Sequence, residues 1–290
     1  MNEQGFQRTG CACAILAAGH GQIGGKPKLL ASLGQESVIA YVVRLVKQAG
    51  NFSPIVVVLN PKTEQAFRSE LARAGHTDLV YANQDEPWGM PNAVFHACLV
   101  PEMRDIEHII MVPGDCPLWL PKTLNVLWRE HISPRRHQIV PSIKRTKFPC
   151  PVGEQKASDV TALTFPYDPD HELAGFVAGR SFLNGEMMIH ERPMCVLNQG
   201  DKFPLPGSEL TTGLAVFRKS WVISLQALFE ANREVETNNR HPEGTALPTL
   251  LNRFGVTVTN VTGNFDYQVL DINTGEHLEL ARRVVAHRSS

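Results

Sequence analysis

A glycine-rich segment near the start of the chain has the residue types that hold a phosphate chain. From Ala14 to Leu30 it reads AILAAGHGQIGGKPKLL, with four glycines within seven residues after a short apolar run. Glycine permits positive φ and a close approach of the backbone to a ligand. Successive free backbone N–H groups can then form a concave anion site. Lys26 and Lys28 add positive charge beside it, so the segment predicts a phosphate-binding loop.

Two common phosphate motifs do not fit this segment. The P-loop requires a serine or threonine after its lysine, whereas Lys26 is followed by Pro27. The glycine spacing of the Rossmann fingerprint is present, but that motif opens a helix directly. Here Pro27 interrupts the chain, and the next predicted helix begins only near Glu36. A dinucleotide site is therefore not favoured.

Asp115 lies directly after a predicted buried strand, in the segment MVPGDCPL. Ligands of open α/β sheets bind beyond the carboxyl ends of the strands, so Asp115 is expected at the binding edge. Its carboxylate is of the oxygen-donor type that Mg²⁺ prefers. The alternative is an aspartate that only caps a turn.

Asp271 and Asn273, in the segment VLDINTGEHL, are a second pair of oxygen donors at a predicted strand-to-helix junction. By themselves they are ordinary residues for a helix N-terminus. Together with Asp115 they predict a magnesium site that is divided between two distant segments of the chain.

Gln84 and Gly89 form a third candidate pair, at the end of a short predicted strand. A glutamine amide can recognise a nucleobase edge through a paired donor and acceptor, and a glycine lets a base lie against the backbone. The alternative is an ordinary polar loop before a helix. The amide alone does not decide between uracil, thymine and cytosine.

The elements that must position these residues alternate between strand and helix through the first half of the sequence. Strands are predicted at 12–18, 55–59, 79–82, 108–112 and 138–143, and helices at 37–49, 63–74, 91–99 and 121–130. This alternation predicts an α/β fold, a mainly parallel Rossmann-like sheet flanked by helices.

Residues from about 144 to 212 differ, because they are rich in proline and their strand signals are short. We expect an elaborated α+β lobe here that holds the acceptor, within a single domain of residues 11–290 after a tail of residues 1–10. Regular patterns then return. Strands are predicted at 213–217 and 256–261, helices at 222–231 and 247–254, and a last helix capped by Thr274.

Composition excludes several classes of protein. The 290 residues carry a formal net charge of −1 without blocks of like charge, which argues against nucleic acid or an anionic membrane as a partner. No apolar run is long enough to cross a membrane. The N-terminal residues MNEQGFQRTG lack the apolar stretch of a signal peptide, so a cytoplasmic location is expected.

The six cysteines form no C-x-x-C motif and predict no zinc site. Homo-oligomerisation stays open.

The candidate segments belong to an ordered set that extends over about residues 12 to 285. The set comprises AILAAGHGQIGGKPKLL, NQDEPWGMPNAV, VPGDCPL, IHERP, TTGLAVF and DINTGEHL. It resembles, in the same order, six motifs of the sugar-phosphate nucleotidyltransferases, which have a glycosyltransferase-A-like fold. These are the signature loop, base-binding segment, metal-binding GD-x-P segment, sugar-pocket motif, N-[TA]-G strand and closing metal segment. The pattern is most similar to that of N-acetylglucosamine-1-phosphate uridylyltransferases.

The resemblance implies a Mg²⁺-dependent transferase that joins a nucleoside triphosphate, expected to be UTP, to a sugar 1-phosphate with release of pyrophosphate. The catalytic residues that it implies are Lys28, Lys26 and Asp115. The implied nucleotide-binding residues are Ala17, Ala18, Gly19, Gly21, Gln84, Gly89 and Met90. Sugar binding is implied for Glu191, Arg192, Thr211 and Gly213. The implied ligands of Mg²⁺ are Asp115 and Asn273, with Asp271 beside them.

Three positions depart from the family pattern. Ile23 stands where the loop arginine normally stabilises the leaving pyrophosphate, and we expect Lys26 to replace that charge. Met90 and Thr211 stand where a threonine and an asparagine are usual. The short GGKPKLL loop is closer to molybdopterin cytidylyltransferases, which share the fold.

These departures leave two alternatives open. One is a cytidylyltransferase whose acceptor is a cofactor or an alcohol phosphate. The other is a protein of the same fold that binds nucleotide or sugar with weak or no turnover, because the missing arginine removes a preorganised cationic contact.

Overall fold

The structure of the protein is a computed structural model. It describes residues 10–50, 52–85, 89–132, 160–166, 180–183, 208–224, 226, 258–262 and 266–289. The five helices labelled here are α1 Val38–Ala49, α2 Glu64–Arg73, α3 Met90–Cys98, α4 Pro121–Ile132 and α5 Gly275–Ser289. Short 3-10 helices cover Lys28–Leu30, Pro101–Met103 and Tyr267–Val269.

Most of the described strands belong to one eight-stranded sheet. They are β1 Cys11–Ala17, β6 Ile55–Leu59, β7 Val80–Asn83, β8 His108–Pro113, β9 Val160–Pro166, β10 Arg180–Leu183, β11 Ser208–Arg218 and β12 Val258–Thr262. Two hairpins between β1 and α1 are made of β2 Gln22–Ile23 with β3 Lys26–Pro27, and of β4 Ser32–Leu33 with β5 Glu36–Ser37.

The strand order is β12-β9-β11-β8-β1-β6-β7, with β10 paired to β11. The pairs of β1 with β6 and β8, of β6 with β7, and of β12 with β9 are parallel. β11 is antiparallel to β8, β9 and β10, so it alone among the described strands of this sheet runs in the opposite direction. The mainly parallel α/β sheet expected from the sequence is therefore confirmed.

β1 lies in the middle of the sheet because its seven residues, CACAILA, are all apolar and can be covered on both faces. Cys11 and Cys13 point to the layer that holds α1, α4 and α5. Ala12 and Ala14 point to the opposite layer, which holds α3. Small residues on this second face let α3 approach the sheet closely.

The helices begin and end where local chemistry permits. Ser37 caps α1, since its hydroxyl accepts the Ala40 N–H at 3.3 Å. Gly50, with φ of 134°, ends the same helix. The apolar stripe of α1 then packs against α4 on one face of the sheet.

The elements predicted within the first 132 residues are all present, with bounds that differ by at most two residues. The predicted strand at 213–217 is part of the longer β11, and the one at 256–261 corresponds to β12. Of the predicted helix at 222–231, residues 222–224 and 226 are helical. The predicted strand at 138–143 and helix at 247–254 lie outside the described residues.

The predicted acceptor lobe contributes to the main sheet. β9, β10 and the first residues of β11 fall within residues 144–212, and all three pair within the eight-stranded sheet. The short strand patterns in this part of the sequence therefore correspond to strands of the main sheet. The other residues of this range lie outside the described part, and the lobe itself remains a prediction.

Candidate functional site

The candidate site lies where the connections of the sheet change direction. From β1 the chain proceeds to β6 and β7 on one side, and then returns to β8 on the other side of β1. Such a switch point opens a crevice at the carboxyl ends of the two central strands. The glycine-rich loop follows β1 and Asp115 follows β8, so both predicted segments lie at this crevice. The Gly114 N–H donates to the Leu16 carbonyl at 2.9 Å and holds the two loops together.

Lys28 joins the two halves of the site. Its ammonium donates to Asp115 Oδ2 at 2.7 Å and to Asn273 Oδ1 at 2.6 Å, although these partners are 87 and 245 positions away. A lysine has only donors, so both contacting atoms must be oxygens. The structure therefore brings together three residues that the sequence analysis singled out in three separate segments.

Gly21 shapes the position of Lys28. A Cβ at Gly21 would lie 2.8 Å from Cδ and 2.9 Å from Cε of Lys28, so a side chain here would force the lysine stem to shift. The Lys28 N–H also donates to the Gly21 carbonyl at 2.9 Å. The glycine was predicted from its freedom to approach phosphate, and the structure adds this steric reason.

Gly24 and Gly25 form the turn of the β2–β3 hairpin, with φ of 59° and 76°. Two successive positive φ values are typical of a tight hairpin turn. Ile23 and Lys26 are direct cross-strand partners in this hairpin, and such partners project to the same face. Ile23 packs against the core, whereas Lys26 is exposed. The register places Lys26 opposite Ile23, and the replacement of the arginine by Lys26 stays a prediction.

The loop before α5 carries the remaining candidate ligands. The Ile272 N–H donates to the Asp115 carbonyl at 2.8 Å, which ties this loop to the end of β8. Asn273 Nδ2 donates to Asp271 Oδ2 at 2.7 Å while its Oδ1 faces Lys28. The amide orientation is therefore fixed from both sides.

Asp271 has an unsatisfied carboxylate oxygen. Oδ1 is buried and has no hydrogen-bond partner within the described part of the chain. Burial, reinforced by the charge of Asp115, raises the pKa of Asp271 to about 6. A buried carboxylate oxygen without a donor is costly, and a cation beside it would remove that cost.

The donor set fits Mg²⁺, which takes oxygen ligands and few carboxylates. Asp115, Asp271 and Asn273 would hold such an ion. The set contains two carboxylates and one amide. The described residues contain no cluster of three or more His, Cys, Asp or Glu side chains that could bind a metal ion.

Gln84 is buried, and its amide nitrogen is already in use. Nε2 donates to the Gly89 carbonyl at 3.2 Å and to Asn92 Oδ1 at 2.8 Å. Because a backbone carbonyl can only accept, the amide orientation follows without ambiguity. Asn92 Nδ2 donates in turn to Gln226 Oε1 at 3.4 Å. Of the donor and acceptor expected from the sequence, the donor already has protein partners. Recognition of a base by Gln84 stays a prediction, and it would use the amide oxygen.

Met90 and Gly213 meet at the same edge. Gly213 has φ of 81° at an irregularity of β11. A Cβ there would lie 3.0 Å from Pro113 Cγ and 3.2 Å from Met90 Sδ. These two sequence-predicted residues thus lie beside the end of β8, two residues before Asp115.

The other predicted site residues have different outcomes. Ala17 ends β1, the adjacent Ala18 is buried and Gly19 is exposed in the loop. Thr211 pairs with Thr164 in the sheet. Glu191 and Arg192 lie outside the described residues, so their roles stay predictions.

Several residues at this edge escaped the sequence analysis. Asn92 and Gln226 orient Gln84, and His277 contacts the Asp271 loop. His20, between two loop glycines, contacts Asn60 Nδ2 through Nε2 at 3.1 Å. Asn60 follows β6 and His20 follows β1, so strand-end position could have identified these two. No local sequence pattern identifies Asn92, Gln226 or His277.

A family model that matches most of the chain identifies its protein family. The model of the MobA-like NTP transferase domain matches residues 13–235, more than half of the chain. The chain belongs to the MobA-like NTP transferase family. The resemblance to nucleotidyltransferases expected from the sequence is thus confirmed.

Curated relatives agree over part of the chain. The bifunctional protein GlmU of Cyanothece sp. is 32% identical over 148 residues, which are 49% of this chain and 30% of that protein. GlmU of Desulfitobacterium hafniense is 32% identical over 123 residues, 42% of this chain and 25% of the relative. The chain thus matches less than a third of the length of either relative.

Solved structures support the fold across nearly the whole chain. CMP:2-keto-3-deoxy-manno-octonic acid synthetase complexed with CTP superposes with a TM-score of 0.59 at 13% identity, covering 96% of this chain and 99% of that one. The 4-diphosphocytidyl-2C-methyl-D-erythritol synthase of Anaerococcus prevotii gives 0.58 at 12% identity, covering 95% and 96%. At such identities the likeness supports the fold. No helix among the described residues is long and apolar enough to span a membrane.

Proposed function

We propose that this protein is a Mg²⁺-dependent nucleotidyltransferase that joins a nucleoside triphosphate to a phosphorylated acceptor and releases pyrophosphate. The nucleotide that we propose is UTP and the acceptor a sugar 1-phosphate. Membership of an NTP transferase family supports the reaction class. The choice of UTP and sugar rests on the motif resemblance of the sequence.

One observation carries the proposal. The ammonium of Lys28 lies between Asp115 and Asn273 at the switch point of the sheet, beside a glycine-rich loop. A cationic side chain, hard oxygen ligands and free backbone N–H groups are the groups that phosphoryl transfer requires. Ligands of such sheets bind in this crevice, which favours a functional role for the ion pair.

The proposed reaction is a displacement at the α-phosphorus of the nucleoside triphosphate. An oxygen of the acceptor phosphate attacks the α-phosphorus, and the bond from that phosphorus to the bridging oxygen breaks. Pyrophosphate leaves with the electron pair on the bridging oxygen. Bound Mg²⁺ would neutralise phosphate charge, and Asp115, Asp271 and Asn273 would hold it.

The chain itself supplies position and charge. Backbone N–H groups of the glycine-rich loop bind phosphate oxygens, and Lys28 contacts the triphosphate when it leaves Asp115 and Asn273. Lys26 stabilises the leaving pyrophosphate from the hairpin. Gln84 accepts a hydrogen bond from the base through Oε1, since its nitrogen is held by Gly89 and Asn92.

A second candidate keeps the reaction and changes the substrates to CTP and a non-sugar acceptor phosphate. The names of the two solved structures favour the cytidine nucleotide, since one was complexed with CTP and the other is a diphosphocytidyl-methylerythritol synthase. Only the second of these names favours a non-sugar acceptor. Either base could donate a hydrogen bond to Gln84 Oε1, uracil through its N3–H and cytosine through its amino group.

Pyrophosphate release tests the proposal. The four common ribonucleoside triphosphates and dTTP are each combined with Mg²⁺ and either sugar 1-phosphates or alcohol phosphates. We expect release with UTP and a sugar 1-phosphate, and an Asp115→Asn variant that is at least 100-fold slower. Asp105→Asn, at an exposed site on the surface, is the matched control. Release by Asp115→Asn at the wild-type rate would refute the site.

Calorimetry separates transfer from binding alone. Ile23 packs against the core and contributes no charge, which favours a binder without turnover. Tight binding of a nucleotide or sugar phosphate together with no release from any pair would support that reading and reject the transferase. Release with CTP and an alcohol phosphate alone would instead support the second candidate.

A further inference from the structure

His277 lies in the first turn of α5 and folds back onto the loop that precedes this helix. Its Nδ1 is 2.7 Å from the main-chain carbonyl oxygen of Asp271. A carbonyl oxygen only accepts hydrogen bonds, so Nδ1 must carry the proton. The Asn273 N–H lies 3.4 Å from the same nitrogen. Because that nitrogen is itself a donor, we assign the hydrogen bond to Asp271 and treat the longer approach as packing of the ring over the loop.

The beginning of α5 does not need this ring as a cap. Thr274 accepts the His277 N–H at 3.2 Å through Oγ1, and the Leu278 N–H donates to the Thr274 carbonyl at 3.1 Å. Thr274 therefore acts as an ordinary N-cap of the helix through its own hydroxyl. The imidazole contact serves the loop of residues 271–273.

This short loop presents two of the three candidate ligands. Asp271 contributes the buried Oδ1 that has no partner in the described part of the chain, and Asn273 contributes the oxygen that faces Lys28. Hydrogen bonds hold its main chain at two points, one from the Ile272 N–H to the Asp115 carbonyl and one from the His277 imidazole to the Asp271 carbonyl. Loss of the second bond would remove one of these two restraints on the loop.

We propose that His277 is a positioning residue, which holds the Asp271 main chain so that the Asp271 carboxylate and the Asn273 amide face Asp115. The inference rests on the proposed function, since it assumes that these side chains bind a divalent cation. Nδ1 is protonated in this arrangement, so His277 acts through the loop and not as a ligand through that nitrogen. Groups that orient metal ligands in this way commonly change metal affinity by about 10- to 100-fold.

Mn²⁺ binding, measured by the loss of the free-ion EPR signal, tests the inference on the folded protein without reference to turnover. His277→Ala removes the donor. His277→Asn places an amide N–H near the position of the imidazole Nδ1–H. We expect His277→Ala to bind Mn²⁺ about tenfold more weakly, and His277→Asn to stay within about threefold of wild type. His287→Ala, at an exposed position in the last turn of the same helix, is the control.

The outcomes are distinguishable. Unchanged affinity in His277→Ala, with loss of binding in Asp115→Asn, would overturn the role of His277 and keep the metal site. Equal weakening in His277→Ala and His277→Asn would also overturn it, because the N–H would then be irrelevant. Wild-type binding in Asp115→Asn would reject the metal assignment of the proposed function. If His277→Ala does not fold, the inference stands or falls on His277→Asn, for which weakened binding would contradict it.

Discussion

Lys28 and Asp115 form an ion pair of 2.7 Å between the loop after β1 and the loop after β8. The lysine side chain is 13% exposed and the aspartate side chain 28% exposed, so the pair is partly shielded from water. Asn273 accepts a second hydrogen bond from the same ammonium. In this arrangement the lysine neutralises the oxygens that we propose as ligands of a divalent cation.

Lys28→Met is therefore expected to separate metal binding from catalysis. A cation no longer has to displace the ammonium, so Mn²⁺ binding without nucleotide should tighten by about fivefold, the scale of a partly exposed ion pair. The single-turnover rate should fall by about 100-fold, because the phosphate contact is lost. EPR titration and rapid-quench kinetics measure the two effects. Weaker Mn²⁺ binding in Lys28→Met would contradict the competition.

Lys26→Met tests the replacement of the missing arginine. Lys26 is the cross-strand partner of Ile23, and charge on the leaving pyrophosphate grows toward the transition state. We expect kcat to fall by about tenfold or more, with the acceptor KM little changed. Lys122→Met, at an exposed position on α4, is the control. Equal activity of the two variants would show that Lys26 is only a solvated hairpin residue.

Asn92→Leu should release the amide of Gln84. The substitution keeps a similar branched shape but removes the oxygen that accepts from Gln84 Nε2 at 2.8 Å. A single hydrogen bond contributes about 1 kcal/mol, so the nucleotide KM should rise about fivefold with little change in kcat. Asn83→Leu is the matched control, because Asn83 donates to Glu64 instead. A lower kcat with unchanged KM would argue against base recognition by Gln84.

Gly213→Ala should destabilise the fold at the edge of the site. The backbone has φ of 81°, and the new Cβ would lie 3.0 Å from Pro113 Cγ. Strain and overpacking together should lower the free energy of unfolding by about 1–3 kcal/mol. Denaturant titration measures this change. Gly275→Ala, where no atom lies within 4 Å of the added Cβ, should cost nothing.

His131 predicts acid sensitivity of the folded state. It is buried in α4, between His108 Nδ1 and Thr161 Oγ1, each 3.0 Å from one of its ring nitrogens. Burial, with smaller contributions from His108 and Arg218, lowers the pKa of His131 to about 3. An unfolded histidine has a pKa of about 6.5. Between these values the unfolded chain binds the additional proton, so stability falls as pH decreases.

The contribution of His131 to the slope of the unfolding free energy against pH should reach about 1.4 kcal/mol per pH unit. Denaturant unfolding between pH 7 and pH 4.5 measures it. His131→Gln keeps hydrogen-bonding groups but does not titrate, so its stability should depend less steeply on pH. His287→Gln, at an exposed position, is the control variant. Parallel slopes for His131→Gln and wild type would refute the assignment.

The first half of the fold could be predicted because its signals are local. The apolar run at β1, the stripe of α1 and its Ser37 cap each appear within a few neighbouring residues. The membership of β9 and β10 in the main sheet could not be predicted in this way. Their partners on β11 lie 25 to 57 positions away, and non-local pairing depends on how the whole sheet closes.

The sequence by itself indicated nucleotidyl transfer from residue types: glycines and lysines beside one strand end, an aspartate after a second strand, and oxygen donors just before the last helix. Strand ends can be recognised from neighbouring residues. In an α/β fold the carboxyl ends of parallel strands meet at one edge of the sheet, so the residues that follow them lie there. The tertiary structure alone decided their contacts. Only the folded chain brings Lys28 within 2.6 Å of Asn273, directs the Gln84 nitrogen to Gly89 and Asn92, and folds His277 over the Asp271 loop. Hydrogen-bond partners depend on distances in space, which sequence separation does not encode.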